Sequence, residues 1–230
     1  MDELNLSAYK GPLTAEQVAQ GINAANQNAR RLLEDASILL EHKSFSTAAS
    51  LAALSIEEAG KAPILRRLAL AQSNRELKQC WRDYRSHTQK NMAWIIPSIA
   101  SHGALHLDDL RPAFDPSSEH PNLLNQLKQA GFYTDCFGNC TWSIPYEEID
   151  EQLAFNLIQT ARALVMFREV TLKEVEIWIK HMRPVWRRSA EDIERGLVQW
   201  YREMCAQKLI TGKEDDMEKF IYKHHSTYTP

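Results

Sequence analysis

The sequence predicts an all-α protein: an antiparallel helical bundle that carries a small β-hairpin insertion and a helical C-terminal extension. Three observations support this fold class. The chain of 230 residues contains only 8 glycines and 9 prolines, which favours long helices over many short strands. Apolar residues recur at spacings of three and four along several long segments, which is the helical period. Hydrophobic residues make up 44% of the chain, enough for a sizeable core.

The first predicted helix follows an extended leader at 1–13, which ends at the breaker Gly11-Pro12. Thr14 and Gln17 fit a capping box, so we expect this helix to begin there and to run to about Glu41. Its apolar residues form one face, as a helix packed on a core requires.

The second predicted helix begins at Ser44 or Ser46 and runs to about Gln72. Its first half is rich in alanine, so a neighbouring helix can approach closely. Gly60 and Pro63 both disfavour a regular helix, and Pro63 should bend it or loosen its hydrogen bonds. Two such residues beside charged side chains indicate close packing or a functional site.

A third helix is predicted from about Arg75 to Ile99, and an irregular stretch from 101 to 118 follows it. A short helix is expected over Leu123–Ala130. The segments 132–136 and 140–143 then read as the two strands of a β-hairpin, joined by a two-residue turn at Gly138-Asn139.

The longest predicted helix covers 146–180 and ends before Pro184. Two more helices are expected at about 190–208 and 214–223, and the tail at 226–230 is expected to be frayed. We therefore divide the chain into the leader, a helical domain at 14–182 and an extension at 185–230. The extension is expected to be an additional subdomain or a dimer surface.

Composition also limits the function. The net charge of −3 is mild, but the stretch from Lys61 to Lys90 holds eight basic and only two acidic residues. Such a stretch is either a surface that faces an anion or a solvated helix face. No apolar run is long enough for a membrane span, and the polar N-terminus lacks a secretory core. We therefore expect a cytoplasmic protein with four reduced cysteines and no membrane partner.

Signals for a metal or a cofactor are weak, and we predict neither. The candidate ligands in the central loop have no strong helical spacing, and Cys136 and Cys140 lack a second pair at zinc spacing. A metal-dependent four-helix enzyme would need Glu-x-x-His pairs, which are missing. The loop candidates are His102, His106, Asp108, Asp109 and His120.

Four segments resemble one known family. Arg82-Asp-Tyr-Arg-Ser-His87 resembles the Arg-x(4–6)-His motif of HEPN domains, which are all-helical. Ser55-Ile-Glu-Glu-Ala-Gly-Lys61 is similar to the Glu-Glu-x-Gly-Lys helix of the AbiV-like abortive-infection branch, and His87-Thr-Gln-Lys90 is similar to its His-Lys-x-Lys element. Thr88 stands where that branch often has a lysine. The segment 128–135 resembles the branch's hairpin strand, so the resemblance covers about 14–180 in matching order.

The resemblance implies a HEPN-like bundle, frequently a homodimer, and often a metal-independent endoribonuclease of antiphage defence or toxin systems. It makes Arg82 and His87 the candidate catalytic pair. Arginine suits a phosphate group because it donates two parallel hydrogen bonds, and histidine can move a proton near neutral pH. Arg85 and Lys90 become candidate substrate-binding cations. Supporting roles fall to Asp83, Glu57, Glu58 and Lys61.

Two alternatives stay open at this point. Arg82 and His87 are five residues apart, about 140° around a helix, so they do not stack directly. A kink, or a second His87 from a dimer partner, could bring the groups to one phosphate of an RNA substrate. Otherwise the chain is a non-catalytic helical module that binds RNA or a protein, such as an antitoxin or a phage protein. For Glu57, Glu58 and Lys61, an ion network that ties two helices together is the favoured role.

Overall fold

A computed structural model of the chain describes residues 7–115 and 117–222. The first part of the expected leader and the expected frayed tail lie outside the described residues. Helices dominate the remainder, and the predicted all-α class with a small hairpin is confirmed. The helices are α1 (Ala15–Glu41), α2 (Phe45–Ala59), α3 (Lys61–Leu70), α4 (Asn74–Arg85), α5 (His87–Lys90), α6 (Ile96–Ser101), α7 (His120–Phe132), α8 (Pro145–Glu148), α9 (Glu151–Leu164), α10 (Leu172–Met182), α11 (Ala190–Ala206) and α12 (Asp216–Ile221).

The N-terminus of α1 forms the predicted capping box. The Thr14 hydroxyl accepts a hydrogen bond from the backbone of Gln17 at 3.2 Å, and the Gln17 side chain accepts one from the backbone of Thr14 at 3.0 Å. These bonds satisfy amide groups that the first turn of a helix leaves free. The helix begins where the sequence predicts it.

The core lies around α2, which packs against α1, α7 and α9. The predicted close approach is confirmed, because α2 turns four fully buried alanines toward its neighbours. Small side chains let helix backbones come close together, and larger residues on the partner helices fill the remaining space. The four alanines are Ala48, Ala49, Ala52 and Ala53, and the larger residues packed with them include Leu33, Leu124, Leu157 and Ile158.

The second predicted helix is divided at Gly60, where α2 ends and α3 begins. Pro63 lies in the first turn of α3, where its missing amide hydrogen is not needed. A methyl group added to Gly60 would overlap the carbonyl oxygen of Lys90. Gly60 therefore marks close packing of α5 against this junction, which is one of the two meanings that the sequence indicated.

The predicted continuous third helix is wrong. The backbone at Ser86 is extended, with φ −83° and ψ 127°, so α4 ends at Arg85 and α5 starts at His87. The apolar residues of α4 keep their helical spacing past Ser86, so the spacing alone does not reveal this break. Ser86 also caps α5, because its hydroxyl accepts from the backbone of Gln89 at 3.4 Å.

The predicted helix at 146–180 is also wrong, since this segment forms α8, α9 and α10. Thr171 and Glu174 make a second capping box, with the Glu174 carboxylate accepting from the Thr171 backbone at 2.6 Å. This box starts a new helix after the extended backbone at Val165. Among the described residues, α1 is the longest helix.

A β-hairpin is present, but its strands are shorter than the predicted 132–136 and 140–143, because Phe132 still belongs to α7 and each strand has two residues. Strands β1 (Cys136–Phe137) and β2 (Thr141–Trp142) pair antiparallel, with Cys136 opposite Trp142. Three residues join them, and both Gly138 and Cys140 adopt positive φ, at +52° and +64°. The predicted turn is one residue too short. Cys140 adopts the left-handed backbone conformation and belongs to the turn, not to a strand.

The C-terminal helices pack on the rest of the chain. Gly196 lets α11 approach α10 closely, since a Cβ atom there would lie 2.8 Å from Val185 Cγ2 and 3.3 Å from Met182 Sδ. The rings of Trp178 and Trp200 are 5.3 Å apart between these two helices. The division into a domain and an extension stays a prediction.

The remaining predicted segments agree with the structure in type. The stretch at 101–118 contains a 3₁₀ helix, Leu107–Phe114, and the short helix expected after it is α7. The last predicted helix is α12, although the expectation for Lys223 lies outside the described residues. Within the described part of the chain, every helix is too short or too polar to cross a membrane.

Candidate functional site

Glu57 of α2 is the centre of the site. Its residue surface is only 3% exposed, and its carboxylate accepts from side chains of two other helices. His87 Nδ1 lies 2.8 Å from Oε2, and Lys90 Nζ lies 3.3 Å from the same oxygen. Lys128 Nζ lies 2.6 Å from Oε1. One carboxylate therefore ties α2 to α5 and to α7.

The pKa of Glu57 reflects two opposing effects. Burial alone would raise it, but the hydrogen bonds from Lys128 and His87, together with the charges of Lys90 and Lys128, lower it below its ordinary value. Glu57 is therefore ionised at neutral pH. An ionised carboxylate can only accept hydrogen bonds, so all three donors suit it.

The side chain of His87 is 55% exposed, whereas those of Glu57, Lys90 and Lys128 are buried. Because the ionised Glu57 carboxylate can only accept, His87 Nδ1 is the donor in this contact, and in the neutral ring the lone pair lies on Nε2. Within the described ranges, Nε2 has no hydrogen-bond partner. Lys128 Nζ lies 3.3 Å from Nδ1 as well, which places a positive charge beside the ring. The His87 imidazole is thus bonded to Glu57 through Nδ1, while Nε2 is left available on the other side of the ring.

Backbone contacts hold the three helices at this spacing. Gly60 allows the carbonyl group of Lys90 to lie against the junction of α2 and α3. On the other side, the Ser50 hydroxyl donates to the carbonyl oxygen of Lys128 at 3.0 Å. A Cβ atom at Gly131 would lie 2.6 Å from the carbonyl oxygen of Ser46, so α7 also needs a glycine where it meets α2.

Arg82 is exposed on α4, and its guanidinium donates to the side chain of Gln79. Because the chain breaks at Ser86, Arg82 and His87 lie on different helices, and the angle of about 140° on a single helix no longer describes them. In the part of the chain that the structure describes, no hydrogen bond joins the two side chains. Both groups are nevertheless accessible to a ligand.

Two other predicted residues are engaged within the chain. Arg85 donates to the carbonyl oxygens of Tyr9 at 2.6 Å and Trp81 at 3.1 Å, and its guanidinium lies 5.1 Å from the Trp81 ring centre. Asp83 is buried, where it accepts from Arg67 and from Gln79. Arg85 thus fastens the segment before α1 to α4, and Asp83 fastens α3 to α4.

Glu58 and Lys61 form a separate pair. Lys61 Nζ lies 2.6 Å from Glu58 Oε1, and both side chains are 18% exposed. The Lys61 ammonium also lies 5.2 Å from the ring centre of Tyr84 on α4. The predicted ion network around these residues thus consists of two parts, since Glu57 makes its contacts elsewhere.

The candidate metal ligands are not gathered together. Among residues 7–115 and 117–222, no group of three His, Cys, Asp or Glu side chains could hold a metal ion. His106 Nδ1 donates instead to the carbonyl oxygen of Lys219 at 3.2 Å. Cys136 and Cys140 are exposed free thiols.

Comparison with known proteins supports the family suggested by the motifs. The model of the HEPN_AbiV family, described as AbiV, matches residues 17–166, which is more than half of the chain. The chain belongs to the AbiV family of HEPN proteins. No curated protein and no solved structure matches it. The match to the AbiV model includes Glu57, His87, Lys90 and Lys128, and it ends before α10 and α11.

In this AbiV-family chain, Lys128 is the site residue that the sequence argument missed. It is separated from Glu57 by 71 positions and lies on α7, next to the predicted hairpin. The one available signal was the spacing of Lys128 and Gly131 on one face of a helix that also contains buried Leu124. That signal indicates burial of a lysine, although it does not identify the partner.

Proposed function

We propose that this AbiV-family protein is a metal-independent endoribonuclease, acting as an antiphage abortive-infection or toxin-like effector. One observation carries the proposal: a buried, ionised Glu57 holds Nδ1 of the exposed His87 at 2.8 Å and leaves Nε2 without a protein partner in the described ranges. A carboxylate that orients a histidine in this way fixes its tautomer and prepares the second nitrogen for proton transfer.

The proposed reaction uses the 2′-hydroxyl of RNA as its nucleophile. His87 Nε2 takes the hydroxyl proton while the 2′-oxygen attacks the adjacent phosphorus atom. The bond to the 5′-oxygen then breaks, giving a 2′,3′-cyclic phosphate, and the leaving oxygen gains a proton from an acid. Arg82 is proposed to stabilise the charge on the phosphate oxygens, because guanidinium groups bind phosphate with two parallel bonds.

A homodimer would supply the acid in this scheme. Two copies related by a two-fold axis would present two His87 side chains, of which one acts as base and the other as acid. RNA is then the substrate, and an antitoxin or a phage protein is the proposed regulator. The reaction as drawn needs no metal, since proton transfer and charge stabilisation come from side chains.

A second candidate is a non-catalytic helical module that binds RNA or a protein. The observation that favours it is the internal use of the predicted cations. Lys90 is buried against Glu57, and Arg85 is bound to two backbone carbonyl groups and a tryptophan ring. Those residues fasten helices together, so the predicted basic surface is smaller than the sequence count indicates.

A purified assay separates the two candidates. Cleavage of RNA in the presence of a strong chelator should fall by about 10²- to 10⁴-fold in His87→Ala, the usual contribution of a general acid or base. His42→Ala is the matched control, because His42 is an exposed histidine at the end of α1. It should cleave like the wild type. An oligonucleotide with the same sequence and no 2′-hydroxyl groups should stay intact.

Expression in cells tests the biological role. The wild type should stop growth and degrade total RNA, while His87→Ala should permit growth with intact RNA. RNA binding without cleavage, equal in both proteins, would support the module instead. Full activity of His87→Ala in the purified assay would refute the nuclease proposal.

A further inference from the structure

The stretch around the β-hairpin exposes three large aromatic side chains. Tyr133, Trp142 and Tyr146 are 61%, 69% and 75% exposed. Tyr133 follows α7, Trp142 lies on β2 and Tyr146 lies in α8, so all three belong to residues 131–151, which we call the hairpin segment. Tyrosine and tryptophan are enriched among the residues that carry most of the binding energy in protein interfaces. Three such residues in one exposed segment indicate a binding surface.

The hairpin segment carries only negative charge. It contains five acidic residues and no lysine, arginine or histidine, although the whole chain has 27 basic and 30 acidic residues. All five are exposed, and within residues 7–115 and 117–222 none of them forms an ion pair with a base. Exposed acids elsewhere do, as Asp35 pairs with Arg31 and Asp215 with Lys219. The five acids are Asp135, Glu147, Glu148, Asp150 and Glu151. The surface that complements this segment is therefore positively charged.

The hairpin segment is fixed to the helical core at its base. Ser143 is buried, and its hydroxyl accepts a hydrogen bond from the backbone of Asp135 at 3.0 Å. The Ser46 hydroxyl of α2 donates to the carbonyl oxygen of Pro145. Gly131 allows α7 to lie close to the same helix. Because the base is already ordered, a partner that binds the aromatic residues loses less free energy in ordering them.

We propose that the hairpin segment is a docking surface for a separate protein that presents an arginine-rich segment. Guanidinium groups would pair with the carboxylates and stack on the rings of Trp142 and Tyr146, because they are weakly hydrated and planar. An RNA strand does not fit this surface, since five carboxylates repel phosphate groups. The segment contains none of the residues of the Glu57 cluster, so docking here does not require the proposed nuclease activity.

Synthetic peptides serve as probes of the proposed surface. Two peptides of equal length and charge differ in having arginine or lysine at every charged position, and a third has glutamate there. Binding to the full chain would be measured by isothermal titration calorimetry. We expect the arginine peptide to bind, the lysine peptide to bind about three- to tenfold more weakly, and the glutamate peptide not to bind.

Variants of the full chain locate the binding. Trp142→Ala should weaken binding of the arginine peptide about tenfold, because it removes the most exposed indole of the segment's ring surface. The double variant Glu147→Gln with Glu148→Gln should weaken it several-fold at low salt and less at high salt, where the charges are screened. Phe167→Ala is the matched control. Phe167 is an aromatic residue that is 63% exposed but lies beside Arg168, so its removal should leave the affinity unchanged.

Equal affinity of the wild type and of folded Trp142→Ala for the arginine peptide would overturn the proposal, and so would an equal loss in Phe167→Ala. Circular dichroism identifies the folded variants. A dimer that Trp142→Ala disrupts, in a protein that binds no peptide, would assign the surface to a second copy of the chain and also overturn it. If RNA is cleaved and no peptide binds, the docking proposal alone falls. If the arginine peptide binds as expected and RNA stays intact, the nuclease proposal alone falls.

Discussion

At the scale of single residues, Glu57 and its partners are not equivalent. Removing the carboxylate would leave two buried ammonium groups without a negative charge within the described cluster. Removing Lys128 would leave Glu57 with two donors, Lys90 at 3.3 Å and His87 at 2.8 Å. A buried charge that loses its last partner of opposite charge greatly lowers the free energy of unfolding. A buried charge that keeps such a partner lowers it much less.

We therefore predict that Glu57→Ala lowers the free energy of unfolding by about 3–5 kcal/mol and that Lys128→Met lowers it by about 1–2 kcal/mol. Glu58→Ala is the control, because it removes the neighbouring carboxylate from the pair with Lys61 and should cost less than about 1 kcal/mol. Urea unfolding measures all three. Equal losses for Glu57→Ala and Glu58→Ala would show that the buried carboxylate does not organise the site.

The roles predicted for the site residues stay predictions, and the structure shows only where their side chains lie. Glu57, Arg82 and His87 were identified by motif, and the structure leaves Arg82 and His87 accessible. Lys90, expected to bind substrate, is buried because the backbone after Ser86 turns it toward α2. The role of Lys128 was missed because its spacing from Gly131 indicates a buried lysine but does not identify a partner 71 positions away.

At the scale of helices, the site depends on how closely α5 approaches the junction of α2 and α3. Sequence periodicity identified the helical segments but not their breaks, since the apolar stripes continue across Ser86 and Val165. The helix caps carried that information: the Ser86 side chain caps α5, and Thr171 and Glu174 form a capping box at the start of α10. The ends of helices are thus encoded by local hydrogen bonds, which apolar spacing does not report.

Gly60→Ala tests the close approach directly. Gly60 has an ordinary helical backbone, with φ −65°, so alanine alone would favour the helix slightly. The added methyl group would instead meet the Lys90 carbonyl and push α5 away. We predict a loss of about 1–3 kcal/mol in the free energy of unfolding, together with a changed environment of His87 in NMR spectra.

Gly21→Ala is the matched control for this experiment. It changes another glycine within a helix, where the nearest atom to the new Cβ would be the flexible Leu65 Cδ1 at 3.3 Å. Its stability should equal or exceed that of the wild type, because alanine is the better helix former. A stable Gly60→Ala with unchanged His87 resonances would contradict the role assigned to this contact.

At the scale of the whole molecule, the site and the C-terminal helices come from separate stretches of the chain. The cluster draws its residues from Glu57 to Lys128, and the AbiV match ends at 166. Beyond it, α11 covers α10, and Arg187 binds Glu76 of α4 with Nη2 2.6 Å from Oε2. That contact lowers the pKa of Glu76 to about 2, mainly through the hydrogen bond from Arg187. Residues from 185 onward therefore contact α10 and α4, and those that the structure describes supply no side chain to the cluster.

A chain shortened to residues 1–188 tests this division of roles. It keeps Arg187 and loses α11, so the melting temperature should fall by about 5–10 °C as the surface around Met182 becomes exposed. If the full chain cleaves RNA, the shortened one should still do so in a manner that depends on His87. Gly196→Val in the full chain is the control, since it forces α11 away from Val185 without removing any residue. A shortened chain that folds and no longer cleaves RNA would assign α11 and α12 to the active domain and overturn the boundary predicted near residue 185.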